Sequence, residues 1–232
     1  MLDRVKEMFL SPKKMPLHLA LTMHGIKAWS EKKELSLNQA YETSFSLINE
    51  FIKFQVDNKI RIFSIYIIPE TMKDTIEITD QFINFLSDLK KSEIINNNQI
   101  KVSVLGKWYN LPNRAIDPIK EVISETKDYD NFFLNLCINY SGQEEIVDSV
   151  KIIAKKIISE KIESEQIDKE MIKENLYSSY FIPPNILIKT GIQKKTFGFL
   201  LWDSVESQIY FTEKLFPDCN VNDLLKGINE WN

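Results

Sequence analysis

What is scarce in this sequence excludes several classes of protein. The chain has 6 glycines, 2 cysteines and 2 histidines among its 232 residues. Because Cys137 and Cys219 lack the spacing of metal ligands, we expect two free thiols rather than a disulfide or a zinc site. No apolar run approaches the roughly 20 residues of a membrane-spanning helix. The N-terminal segment lacks the apolar core and cleavage site of a signal peptide, so we expect a cytoplasmic protein.

An excess of positive charge is also missing. The chain carries 29 Lys and Arg residues against 33 Asp and Glu residues, a formal net charge of -4. Because a protein that holds a nucleic-acid backbone needs a basic surface, we expect no nucleic-acid partner. Apolar residues 8–10 lie beside lysines. This arrangement leaves peripheral contact with a membrane surface open.

Short apolar runs alternate with helical patterns along nearly the whole chain. This alternation is typical of βα units and predicts an α/β fold, a central and mostly parallel sheet covered by helices on both faces. The predicted strands are residues 17–23, 60–68, 100–105, 132–138, 186–189 and 209–211. The predicted helices begin at a capping box, Ser36 with Gln39, and at about residues 74, 113, 143, 168 and 221. The length fits one domain, residues 17–232, after an N-terminal extension of residues 1–16.

One stretch combines a strand with a loop that contains both glycine and histidine. Residues 17–30 read LHLALTMHGIKAWS. This stretch resembles the opening signature of cis-prenyltransferases of the undecaprenyl diphosphate synthase type, which in active members reads Met-Asp-Gly-Asn-Gly-Arg-Trp-Ala. The resemblance implies a loop that precedes the capped helix and cradles a substrate diphosphate with backbone N–H groups and a helix dipole.

Further blocks continue the resemblance in the family's order up to residue 231. They are FLNLCINYSGQEEI at 133–146, ILIKTG at 186–191, FLLWDS at 199–204 and IYFTEKLFPD at 209–218. The family joins isopentenyl diphosphate to an allylic diphosphate. Magnesium, arginines and loop N–H groups stabilise the departing diphosphate. The resemblance therefore implies the family's fold and, in intact members, a magnesium-dependent transferase.

The residues that carry this chemistry in the family are mostly replaced. His24 stands at the position of the signature aspartate and Gln208 at that of a later glutamate, so both are degenerate catalytic positions and no catalytic residue is assigned. Imidazole is a poor ligand for magnesium. Phe197 and Gly198 replace a Ser-Asn pair, and residues 69–72 correspond to a loop that positions the isopentenyl substrate. We therefore expect that this chain alone holds no cofactor and that Mg²⁺ is bound by a catalytic partner.

Some groups suited to binding an anion remain. Lys189 replaces an arginine, which keeps the positive charge but loses the bidentate guanidinium geometry. The substrate-binding candidates are Gly25, Lys27, Trp29, Lys189 and Lys195. Each lysine is also compatible with ordinary surface charge, and His24 with a hydrogen-bonded loop histidine.

Three hypotheses about function follow. The first is a non-catalytic subunit of a heteromeric cis-prenyltransferase, which pairs with a catalytically intact homologue to make polyprenyl diphosphate for lipid glycan carriers and is inactive alone. The second is an active enzyme with altered chemistry, in which lysines bind the diphosphate and His24 acts as acid or base. In it the diphosphate would be held by Lys27, Lys189, Lys194 and Lys195. The third is a module that binds a polyprenyl chain without reacting it.

Overall fold

The structure of the chain is a computed structural model, which describes residues 14–69, 76–160 and 163–232. Three sequence predictions fall outside these ranges. They concern the apolar residues 8–10, residues 70–72 of the loop that corresponds to the isopentenyl-binding loop, and the predicted helix start at about residue 74.

A sheet of six parallel strands forms the centre of the molecule. The strands are β1 His18–Thr22, β2 Ile62–Pro69, β3 Ile100–Leu105, β4 Phe132–Tyr140, β5 Ile186–Lys189 and β6 Gln208–Phe211. Their order across the sheet is β3-β4-β2-β1-β5-β6, and every neighbouring pair is parallel. The predicted parallel α/β fold is confirmed, and all six predicted apolar runs are strands.

Helices connect the strands and cover both faces of the sheet. They are α1 Ile26–Lys33, α2 Leu37–Asp57, α3 Ile76–Lys91, α4 Glu93–Asn97, α5 Asn113–Glu125, α6 Gly142–Glu160, α7 Lys169–Glu174 and α8 Val221–Trp231. Alternating strand residues divide the core. Leu19 and Leu21 pack in a large cluster with residues of α2, α3, α5 and α8, whereas Ala20 packs on the other face with Phe181 and Phe199.

The start of α2 follows the predicted capping box. The Ser36 Oγ accepts a hydrogen bond from the Gln39 N–H at 3.2 Å, and the Gln39 Oε1 accepts one from the Ser36 N–H at 3.0 Å. These two bonds satisfy backbone donors that a helix start leaves without partners. The predicted start of this helix is confirmed.

The stretch after β1 is not the loop that the sequence suggested. Residues Ile26–Lys33 form α1, whose first hydrogen bond runs from the Trp29 N–H to the Gly25 carbonyl at 2.9 Å. Gly25 caps the helix with its backbone alone, in the left-handed conformation with φ of 89°. Because the helix has 8 residues and no capping side chain, its periodic signal in the sequence is too short to recognise.

The cysteines and the helix lengths can also be compared with the sequence predictions. Cys137 and Cys219 are free thiols, and both are buried. None of the helices in the described ranges combines the length and apolar character needed to cross a bilayer.

Candidate functional site

Two adjoining cavities open where the carboxyl ends of the central strands meet the starts of α1 and α6. This end of the strands is where ligands bind in parallel α/β sheets. The first cavity has a volume of about 490 Å³ and the second about 270 Å³. They share His24, Gly25, Ala28 and Phe197. The first cavity is otherwise lined by Met23, Ile26, Lys27, Tyr41, Tyr66, Ile67, Ile78, Tyr140, Ser141 and Gln143.

Hydrogen bonds from neighbouring segments fix the loop that carries His24. The His24 N–H donates to the Thr190 Oγ1 at 3.1 Å, and that hydroxyl donates to the Thr22 carbonyl at 2.7 Å. The Phe216 N–H donates to the His24 carbonyl at 2.9 Å. A Cβ on Gly25 would lie 2.6 Å from Leu215 Cδ2, so only glycine fits there without rearrangement. The His24 backbone is therefore held rigidly at the rim shared by the two cavities.

The imidazole of His24 lies among aromatic rings and is uncharged at neutral pH. It stacks on Phe197 with a centroid distance of 4.8 Å, and it meets the edge of Tyr66 at 5.9 Å. Its Nδ1 is buried and has no hydrogen-bond partner. Burial, with the nearby Lys189 ammonium, lowers the pKa of His24 from 6.5 to about 4. A neutral ring at this position offers a nitrogen lone pair in place of a carboxylate.

Lys189 supplies a buried cation to the second cavity. Its side chain is only 1% exposed, and its Nζ donates to the Thr190 carbonyl and lies 5.6 Å from the centroid of the Phe197 ring. Burial lowers the pKa of Lys189 from 10.5 to about 8. Over the described ranges no carboxylate forms an ion pair with it. The ammonium therefore has a carbonyl and an aromatic face as partners, but no counter-ion.

These residues do not fit the magnesium ion that the family resemblance implies. Magnesium takes oxygen ligands, typically one or two carboxylates together with substrate phosphates. No Asp or Glu is among the described residues that line either cavity. Within the same part of the chain, no group of three His, Cys, Asp or Glu side chains could hold a metal ion. His24, with its neutral ring beside a lysine, does not replace the missing carboxylate.

The predicted site residues are only partly brought together. Gly25 and Lys27 line the first cavity, and Gly25 and Lys189 line the second. Trp29 is buried, and its Nε1 donates to the Asp218 Oδ1 at 2.7 Å, which ties α1 to the turn before α8. Lys195 is exposed and lines neither cavity.

Gln208 also lies away from the cavities. It is the first residue of the edge strand β6 and pairs in register with Ile186, at the amino end of the sheet. Its Nε2 donates to the Glu230 carbonyl at 2.9 Å. The two degenerate positions, His24 and Gln208, are therefore not neighbours within one chain.

Sequence reasoning did not identify several aromatic residues that shape the site. Tyr66 and Tyr140 line the first cavity with their rings 5.8 Å apart, and the Tyr140 OH donates to the buried Glu145 carboxylate. Tyr140 lies in a block that resembles the family, so its position could have been found. Phe197, in contrast, was noted only as a replacement, and its place between the cavities depends on a fold that brings it onto His24.

Comparisons with known proteins agree with the fold and with the sequence blocks. A family model described as putative undecaprenyl diphosphate synthase matches residues 22–232. An isoprenyl transferase of Prochlorococcus marinus subsp. pastoris is 31% identical over 96% of this chain and 83% of its own length. The tritrans,polycis-undecaprenyl-diphosphate synthase (geranylgeranyl-diphosphate specific) of Thermoplasma volcanium is 28% identical over 92% of this chain and 84% of its own length.

Solved structures show the same fold. Lavandulyl diphosphate synthase from Lavandula x intermedia, in complex with dimethylallyl diphosphate, has a TM-score of 0.86 at 22% identity, over 93% of this chain and 94% of its own. A probable undecaprenyl diphosphate synthase from Campylobacter jejuni has a TM-score of 0.74 at 21% identity, over 94% of this chain and 95% of its own. From the match over residues 22–232, the chain belongs to the undecaprenyl diphosphate synthase family of prenyltransferases.

Proposed function

We propose that this chain is the non-catalytic subunit of a heteromeric cis-prenyltransferase. It pairs with a catalytically intact homologue to make polyprenyl diphosphate for lipid glycan carriers. The observation that carries the proposal is the donor set of the cavities. A neutral His24 stands where the resemblance puts the magnesium-binding aspartate, and no carboxylate is among the described lining residues.

The remaining cations are poor substitutes for the family's stabilising groups. Removing one electrostatic stabiliser from an active site typically lowers the rate by roughly 10²–10³. Here a metal ligand and the guanidinium geometry are both missing. Lys27 is exposed, and Lys189 is covered by Phe197 and has a lowered pKa. We therefore expect no measurable turnover by the chain alone.

A partner surface is offered by the edge of the sheet. β6 pairs only with β5 among the described strands, so its outer backbone groups have no strand neighbour. Its side chains Ile209 and Phe211 are 36% and 37% exposed, and Val205 just before it is 78% exposed. An edge strand with exposed apolar side chains favours pairing with another chain. This surface supports a homologous subunit as the partner.

The first experiment measures turnover with and without a partner. The purified chain is incubated with magnesium, isopentenyl diphosphate and farnesyl diphosphate, and prenyl products are counted. We expect none from the chain alone. We expect product from a co-purified complex with a homologue of the same genome that retains the signature aspartate. Turnover by the chain alone at the rate of that homologue would contradict the proposal and favour the enzyme with altered chemistry.

The second experiment tests the surface. Ile209→Asp places a charge on the exposed face of β6, and we expect it to reduce co-purification with the homologue at least tenfold. Ile158→Asp is the matched control, because Ile158 is 83% exposed and belongs to α6, not to the edge strand. Equal recovery of both variants in the complex would argue against pairing through β6.

A polyprenyl-binding module is the second candidate, and the first cavity favours it. Met23, Ile26, Ile67 and Ile78 give this cavity a largely apolar lining. An apolar cavity with a few polar groups at its mouth is typical of a lipid-binding site. Binding of a polyprenyl phosphate by the chain, together with failure to co-purify with any homologue, would support this candidate over the subunit.

A further inference from the structure

Phe197 lies between the two cavities and lines both of them. Its ring is 44% exposed, so it is not part of the packed core. The ring stacks on His24 with an interplanar angle of 16°, and the Lys189 Nζ lies over the ring, 5.6 Å from its centroid. The ring is therefore a neighbour of both a neutral imidazole and a buried ammonium.

The backbone at Phe197 is unusual in the same place. Phe197 has φ of 54° and Gly198 has φ of 73°, so two successive residues adopt the left-handed conformation. A bulky residue adopts this conformation only at a cost in free energy, and such strain is concentrated at ligand sites and switching segments. The ring is thus held over Lys189 by its contacts rather than by the local preference of its backbone.

We propose that the Phe197 ring occludes an anion subsite on Lys189, and that the second cavity binds a diphosphate group only when the ring is displaced. A buried ammonium normally has a carboxylate or a bound anion as counter-ion. Lys189 has no carboxylate partner among the described residues, and its Nζ lies over the face of the Phe197 ring. The inference deepens the proposed function and rests on it, since a covered anion subsite is a further reason to expect no turnover by the chain alone.

The test measures binding of inorganic pyrophosphate to the purified chain by calorimetry in EDTA. Phe197→Ala removes the ring, and we expect pyrophosphate to bind about tenfold more tightly, equivalent to roughly 1.4 kcal/mol. Tyr180→Ala is the matched control, because Tyr180 is a 92% exposed aromatic residue that lines neither cavity. Unchanged affinity in a folded Phe197→Ala variant would overturn the proposal.

A double-mutant cycle assigns the gain to Lys189. Lys189→Met should weaken pyrophosphate binding at least fivefold more in the Phe197→Ala background than in the wild-type background, because only there does the ammonium meet the anion. Equal losses in both backgrounds would show that the ring does not cover the lysine. If thermal unfolding shows that Phe197→Ala does not fold, Phe197→Leu replaces it in the cycle, since leucine removes the ring face but keeps an apolar side chain.

A parallel titration separates the headgroup from the lipid. Farnesyl diphosphate should gain affinity by the same factor as pyrophosphate in the Phe197→Ala variant. A gain for farnesyl diphosphate alone would locate the effect in the apolar chain and overturn the anion subsite. These measurements use one chain without a homologue and without turnover. A failure to see tighter pyrophosphate binding therefore leaves the partner-subunit proposal intact, and a failure to find a partner leaves the measured affinities unchanged.

Discussion

A single side chain at the carboxyl end of β1 decides which ion the first cavity can hold. His24 presents a neutral ring there, with its Nδ1 unpartnered. His24→Asp should create a magnesium site, because one carboxylate together with phosphate oxygens is a common magnesium environment. We expect this variant to bind pyrophosphate about tenfold more tightly with magnesium than with EDTA, roughly a 1.4 kcal/mol difference. Calorimetry with each additive is the measurement.

The control for this prediction is Gln208→Glu, which restores the other carboxylate at a position that lines neither cavity. We expect no dependence on magnesium in that variant or in the wild-type chain. A wild-type affinity that already depends on magnesium would show that the present donors hold the metal.

A second histidine, His18, makes the stability of the fold depend on pH. His18 is 1% exposed, and its Nε2 lies 2.8 Å from the Ser64 Oγ. Burial, partly offset by the hydrogen bond to the Ile182 carbonyl and reinforced by Lys173, lowers its pKa from 6.5 to about 4. The unfolded chain therefore takes up this proton first as the pH falls. The contribution of His18 to stability is complete above pH 6.5 and is lost between 6.5 and about 4, on the order of 3 kcal/mol.

His18→Gln should flatten this part of the stability profile, because glutamine takes up no proton. The free energy of unfolding in urea is measured at several values between pH 7 and about pH 4. His24→Gln is the comparison, since it removes the other histidine with a lowered pKa and leaves the contribution of His18 to the pH dependence of stability unchanged. A His18→Gln profile as steep as that of the wild-type chain would refute the assignment.

Among the elements, α2 allows a direct test of how much its N-terminal cap contributes to stability. Ser36→Ala removes the side chain that accepts the Gln39 N–H, and we expect the protein to lose about 1 kcal/mol of stability. Ser46→Ala is the matched control at an exposed position inside the same helix, where alanine is the better helix former and a small gain is expected. Urea unfolding of the two variants should shift in opposite directions, and equal shifts would speak against the cap.

The elements also show what local sequence can and cannot predict. All six strands and the capped start of α2 could be predicted, because long apolar runs and capping boxes are local signals. α1 could not be, since its 8 residues bury only Ile26, Trp29 and Ser30 and its cap is a glycine backbone. α4, with 5 residues, was hidden for the same reason. Short helices are stabilised by tertiary packing that a single sequence does not display.

For the whole molecule, the two thiols report on global unfolding. Cys137 is fully buried, and burial raises its pKa. Cys219 is 7% exposed, and burial raises its thiol pKa to about 12. Because the thiolate is the reactive form, Ellman's reagent should modify both thiols only as fast as the chain unfolds. Cys219→Ser isolates the signal of Cys137, and fast modification of either thiol without urea would reveal local opening.

The candidate site is a property of the whole molecule, and this explains why sequence alone predicted only part of it. His24 lies two residues after β1 and Lys189 is the last residue of β5, and both were found through blocks that resemble the family. Gln208 belongs to another block but lies at the opposite end of the sheet, so similarity in sequence did not bring it to the cavities. Phe197 reaches His24 only through the folded turn that precedes β6.

The strand order has a consequence for folding during synthesis on the ribosome. β1 is bonded to β2 on one side and to β5 on the other. The N–H of Thr190, just after β5, donates to the Oγ1 of Thr22 in β1, and these two residues are 168 positions apart in the sequence. During synthesis the edge of β1 that pairs with β5 therefore stays unpaired until most of the polypeptide has left the ribosome. Such late closure slows folding and exposes the nascent chain to aggregation, so its maturation in the cell should depend on chaperones that shield that edge.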